Sequence, residues 1–182
     1  MKKTKPLFLL FLTLLCMIIS SLPAYASSYN QGIYNENVPY GSATYIAIST
    51  TGNVLLAVTP TSSGSLTTGT NTVTVTSTDV VGYNLYIRSN STTDMTNISV
   101  PLPTSSNSSP ATLAADTWGY NTSGSSTNFV GSTLSDTLIR TLSGPASSGD
   151  ATTVTYGVKV DMAKPAGNYT TNVIYTAVPQ TD

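Results

Sequence analysis

Residues 160–179 read VDMAKPAGNYTTNVIYTAVP. Within them Tyr169, Thr171, Val173, Tyr175 and Ala177 alternate with Thr170, Asn172, Ile174, Thr176 and Val178. A period of two sends successive side chains to opposite faces of a β-strand. Just upstream, Val154, Tyr156, Val158 and Val160 form an apolar row, and Thr153, Thr155, Gly157 and Lys159 a wet one, as expected of a half-buried strand. Between the two runs, Pro165 presets one backbone dihedral and Gly167 tolerates a positive one. The pattern predicts that 152–161 and 168–178 close the fold as an antiparallel hairpin, with Val160, Tyr169, Val173 and Tyr175 on the buried side.

Working outward, comparable runs predict strands at 43–49, 53–59, 71–77, 80–88, 96–102, 116–121 and 136–142. Stretches 60–70, 103–112 and 143–151 are rich in Ser, Gly and Pro and read as surface loops. No helical period follows the first residues. About nine short strands with turn residues between them predict an all-β domain, a single antiparallel β-sandwich of immunoglobulin-like or fimbrial-like type.

The first residues have another grammar. Lys2, Lys3 and Lys5 precede the apolar stretch 6–19, and SSLPAYA follows, with Ala24 and Ala26 as small residues. This is the pattern of a secretory signal peptide cut after Ala26, and the apolar stretch falls short of the ~20 residues of a spanning helix. The expected organisation is a signal peptide at 1–26, an extension or first edge strand at 27–41, and a β-sandwich domain at 42–182. Cys16 is the only cysteine and lies within the signal, so the mature chain relies on no disulfide. Leu14 and Leu15 before it do not fit a lipoprotein signal.

Cleavage leaves 156 residues, enough for one domain burying about 70% of its unfolded surface. All eight acidic residues but only four of seven basic ones follow the cut, a balance of −4. Nucleic acid asks for clustered Lys and Arg and is not expected as a partner. With 40% apolar residues and 8% charged ones, the chain reads as a folded secreted domain with a Ser- and Thr-rich surface rather than as disorder.

No histidine occurs. That removes the usual general base, the Ser-His and Cys-His nucleophile systems and the commonest zinc ligand. Two carboxylates could still hydrolyse a glycoside, yet Asp79, Asp94, Asp116, Asp136, Asp150 and Asp182 sit beside Thr, Ser, Gly or a chain end, Glu36 lies between two Asn, and Asp161 opens the turn ahead of Pro165, so turn and cap duty is the expectation. The best calcium-like stretches, 91–97 and 147–153, each carry a single carboxylate, too few for a dense oxygen site. The chain is expected to be no enzyme and to need no cofactor or metal. Five Asn-x-Ser/Thr sequons, at Asn90, Asn97, Asn107, Asn121 and Asn168, are what chance supplies in such a composition. Lys159, placed on the wet face of its strand, is not set for a buried isopeptide bond.

Three pieces, residues 58–89, DTWGYN at 116–121 and residues 147–179, together resemble exported bacterial surface proteins whose β-sandwich domains end in a Pro-Ala-Gly-x-Tyr hairpin. The chain is distantly similar to spore coat protein U and fimbrial-subunit domains, in which a neighbour's strand completes a sheet, and to WxL-type wall-binding domains. It departs from them in having one Trp where two Trp-x-Leu motifs would stand, and no disulfide. The resemblance implies a non-catalytic, secreted or cell-surface structural or adhesive protein whose partners are other copies of itself or other surface proteins. In such an assembly 27–41 would be the donated strand, and Tyr169, Thr171, Val173 and Tyr175 would mark the strand-exchange edge. The alternative is a cell-wall or glycan-binding module in which Trp118 and Tyr120, with exposed tyrosines, contact sugar.

Overall fold

The structure, a computed structural model, describes residues 44–97 and 100–180; the expected signal peptide 1–26 and extension 27–41 lie outside the described residues. In chain order the strands are β1 (Tyr45–Thr50), β2 (Ser65–Thr78), β3 (Gly82–Ser89), β4 (Ala111–Thr112), β5 (Thr117–Asn121), β6 (Asn128–Phe129), β7 (Thr137–Ser143), β8 (Asp150–Val160) and β9 (Val173–Gln180). They form a four-stranded sheet β1-β2-β8-β5, a three-stranded sheet β7-β3-β9 and the short pair β4-β6. Every strand ladder is antiparallel, and the described residues contain no helix, hence none long and apolar enough to cross a membrane. The protein is all-β.

Period-two burial explains the strands. In β3, Tyr83, Leu85, Ile87 and Ser89 are buried while Asn84, Tyr86 and Arg88 face outward. In β2 the β-branched Val73 and Val75 point inward, and in β8 Val154, Tyr156, Val158 and Val160 do. These side chains join Trp118 and Leu102 in one hydrophobic cluster that draws on both larger sheets. Each fully buried aliphatic or aromatic side chain contributes about 1.5–3 kcal/mol relative to exposure, which is where a chain without a disulfide finds its cohesion. Polar contacts join the sheets as well: the Tyr83 hydroxyl donates to Asp150 at 2.5 Å, Arg140 of β7 pairs with the same carboxylate, and the Tyr156 and Tyr175 hydroxyls hydrogen-bond each other.

The predicted closing hairpin does not form. β8 pairs with β2 and β5, whereas β9 pairs with β3 in the other sheet. The connection between them turns away at once: the Asp161 carboxylate accepts the Ala163 N–H at 2.8 Å. The Lys164 ammonium then donates to the Pro101 carbonyl at 2.7 Å, and Thr170 exchanges two backbone hydrogen bonds with Thr96. These bonds tie residues 161–172 to the 95–102 segment, so Pro165 and Gly167 bend a crossover rather than a hairpin.

Other expectations shift too. Residues 65–70, expected in a loop, are the first half of β2 and pair with Val160–Thr155 of β8. The described residues of 96–102 form no strand; Met95 bridges Leu102 and Thr96 bridges Thr170 as isolated pairs. Segment 53–59 keeps a strand's alternation in burial but joins no ladder. Val54, Leu56 and Val58 pack on the core, Leu55 between them is 91% exposed, and Val54 and Leu56 fill the space left by the missing side chain of Gly69. Nor is the second face of β8 wet throughout, since Thr155 and Gly157 are buried. Phe129, fully buried, sits over the opposed pair Gly119 and Gly157, and Leu113 lies beside it.

Candidate binding edge and cleft

Most carboxylates in the described residues are tied to a cation, a backbone N–H or a turn hydroxyl. Asp150 is held by both the Nε and an Nη of Arg140, at 2.9 and 3.0 Å, Asp136 pairs with Arg88 at 3.3 Å, and Asp116 accepts the Asp161 backbone N–H at 3.2 Å. Asp94 takes part in local turn bonds with Thr92 and Thr93. Among the described residues no group of three or more His, Cys, Asp or Glu is close enough to hold a metal ion.

Trp118 and Tyr120, the expected sugar contacts, are both buried. β5 turns the two rings inward, and the Trp118 indole N–H donates to the Thr93 carbonyl at 2.9 Å. That bond is what a buried indole requires. Neither ring is a platform open to solvent. Burial also pushes the Tyr120 hydroxyl above its ordinary pKa, keeping it neutral.

The chain's C-terminal strand offers a different feature. β9 ends its sheet in the order β7-β3-β9, and no strand among the described residues pairs with its outer side. The Asn172 carbonyl accepts from the Asn90 N–H and the Gln180 carbonyl from the Val81 N–H, so the even-numbered residues of this run direct their backbone groups toward β3. In an antiparallel strand the intervening residues must point the other way. Val173, Tyr175 and Ala177 therefore present N–H and C=O groups along the outer edge, while Pro179 has no N–H to present, a common edge-strand residue. Of the four residues expected to mark an exchange edge, Val173 and Tyr175 lie in β9, and Tyr169 and Thr171 precede it in the crossover.

Beside the start of β9 lies a cleft of about 270 Å³. Val54, Leu56, Met95, Val173 and Tyr175 line its inner part, with the buried Trp118 and Tyr156 bordering it from beneath; the exposed Thr50, Asn53 and Asn172 and the half-buried Thr171 stand around its mouth. One lip is the turn after β1, where Gly52 takes a φ of 105°. Asn71 pins this turn, donating its amide to the Gly52 carbonyl and accepting from the Thr51 hydroxyl. The other lip is held by the Asn90–Asn172 and Thr96–Thr170 backbone bonds. Burial, then the neighbouring Tyr175 phenol, pushes the Tyr156 hydroxyl far above its ordinary pKa, and burial likewise raises Tyr175, so this pair stays neutral. Sequence reasoning missed the cleft because Asn53 fell inside a predicted strand and Asn172 inside a predicted hairpin arm; the one hint was Gly52, a turn former beside an Asn.

No family model matches the chain, and neither a curated protein nor a solved structure matches it.

Proposed function

We propose that this is a non-catalytic structural or adhesive protein of a bacterial cell surface, exported by a signal peptide cut after Ala26, whose two larger sheets form a β-sandwich that joins other copies by strand addition at β9. The observation that carries the reading is the row of outward backbone groups at Val173, Tyr175 and Ala177 on a terminal strand whose other side is fully paired. Added strands bind through main-chain hydrogen bonds and leave little trace in side-chain chemistry, which suits a chain with no histidine and isolated carboxylates. The donor in this reading is segment 27–41, SSYNQGIYNENVPYG, where Tyr29, Ile33, Tyr34, Val38 and Tyr40 supply apolar side chains. The low surface charge supports the same reading, because charged edge residues are a common defence against edge-to-edge pairing.

Deleting residues 27–41 from the mature protein and measuring its mass by light scattering tests this. Assembly of the intact chain and a monomer after deletion are expected. Equal masses for the two forms would remove the proposal. The enclosure of both rings disfavours a sugar platform made of the faces of Trp118 and Tyr120.

A further inference from the structure

The cleft beside β9 combines three properties. Its inner lining is apolar, with Val54, Leu56, Met95 and Val173 beside Tyr156 and Tyr175. Among the described residues no Asp, Glu, Lys or Arg lines it. Around its mouth Thr50, Asn53, Thr171 and Asn172 make no side-chain hydrogen bond to the other described residues, although the backbone on both lips is pinned by Asn71, Asn90 and Thr96. Fixed lips with unspent side chains form a preorganised set of neutral donors and acceptors, which lowers the entropy of binding. A few convergent polar groups over an apolar floor are the usual composition of a small-molecule site.

We propose that this cleft binds one unit of a neutral saccharide. A pyranose ring carries hydroxyls that both donate and accept, matching the amides of Asn53 and Asn172 and the hydroxyls of Thr50 and Thr171, and a C–H face that suits the Tyr175 side of the cleft. The absence of charge among the described lining residues disfavours ionic ligands such as phosphates, uronic acids and sialic acids, which would be desolvated without a counter-charge. A volume of about 270 Å³ fits a single ring unit rather than a long chain. The proposal is separate from strand addition, as it uses side chains and not the outer backbone groups of β9.

Trp118 is the only tryptophan and borders the cleft from within the core, so its fluorescence reports occupancy. The mature protein would be titrated with glucose, galactose, mannose, N-acetylglucosamine and their disaccharides, with glucuronic and sialic acid as charged controls and calorimetry as a second readout. Saturable binding of at least one neutral sugar, with a Kd of about millimolar or tighter, is expected. Asn53→Ala and Asn172→Ala would each weaken it by about five- to tenfold, the value of one lost hydrogen bond, with unchanged circular dichroism because both side chains are exposed and make no side-chain hydrogen bond to other described residues. Deleting 27–41 would leave sugar binding intact. No saturable response to any neutral sugar, tighter binding of the charged controls, or affinity unchanged in the Asn53→Ala, Asn172→Ala double variant would each overturn the proposal.

Discussion

Phe129 packs on the bare Cα of Gly157 so closely that a side-chain carbon added at that glycine would lie 2.6 Å from the ring's Cζ. The ring is itself enclosed, and Gly119, opposite Gly157 in the β5–β8 ladder, lies beside the ring's Cβ. Two glycines facing each other across a ladder thus make a socket, and a two-residue strand delivers the side chain that fills it.

Gly157→Ala is therefore expected to destabilise the domain by about 1–3 kcal/mol through overpacking, and Phe129→Ala by about 3–5 kcal/mol through a cavity. Urea unfolding checks both. The double variant should cost less than the two changes added together, because shortening Phe129 makes room for the new methyl.

Tyr83, Asp150 and Arg140 predict a pH dependence at each end of the scale. Burial, and then the hydrogen bond and charge of Asp150, push the Tyr83 hydroxyl up to about 12. A group whose folded pKa is raised stabilises fully below its unfolded value, about 10, and that contribution is lost as pH rises through the folded one. For Asp150 burial acts upward, but the hydrogen bonds from Arg140 and Tyr83 outweigh it and hold the carboxyl below its ordinary 3.8. Its contribution is present above that value and lost as pH falls through the lower folded one. Melting temperature against pH should fall at both extremes in the wild type. Tyr83→Phe should soften the alkaline fall and Asp150→Asn the acid one.

Proline scanning along β9 separates assembly from folding. Ala177→Pro removes an N–H that points to the outer edge, so the monomer should stay folded while higher-mass species in light scattering decline. Thr176→Pro removes one that points to β3, opposite Tyr86, and should cost about 3 kcal/mol or more by breaking the central ladder. Loss of folding in both variants alike would show that the two sides of β9 are not distinct.

Trp118→Ala should unfold or strongly weaken the domain, by about 3–5 kcal/mol for the lost ring, and it leaves the Thr93 carbonyl without its indole donor. Trp118→Phe keeps most of the volume and should recover part of that loss, as chemical denaturation can measure.

Much of the fold was legible in the sequence where the alternation of side chains and the supply of backbone partners agree. In β8 and β3 they do, and the predicted spans 152–161 and 80–88 meet Asp150–Val160 and Gly82–Ser89 within two residues. At 53–59 they part. Val54, Leu56 and Val58 alternate because they face the core, but alternation does not report whether a neighbouring strand exists. Residues 65–70 show the converse: Ser, Thr and Gly composition suggested a loop, yet their backbone pairs fully with β8, and Gly69 is small because Val54 and Leu56 need the space. Pro165 and Gly167 marked where the chain bends but carry no information on which sheet it enters next. Of the site, Val173 and Tyr175 could be placed on one side of a strand from spacing alone. Asn53 and Asn172 come together only because β1 and the crossover end side by side, a relation with no local signature.

The crossover from β8 to β9 has a consequence for the order in which the chain can fold. The β2–β8 ladder joins residues 65–75 to 150–160, and β3 waits for residues 173–180, so each larger sheet depends on a segment made late. Such distant pairings slow folding, because loop entropy is lost before contacts form. A chain emerging N-terminus first, from a ribosome or through a membrane pore, can assemble β3 with β7 but must hold the inner side of β3 partly bare until Val173 and its successors arrive. Closure of the core is thereby deferred until Val173–Gln180 reach their partners Gly82–Ser89 across a separation of about 90 residues, which makes this last ladder the step on which completion of the fold waits.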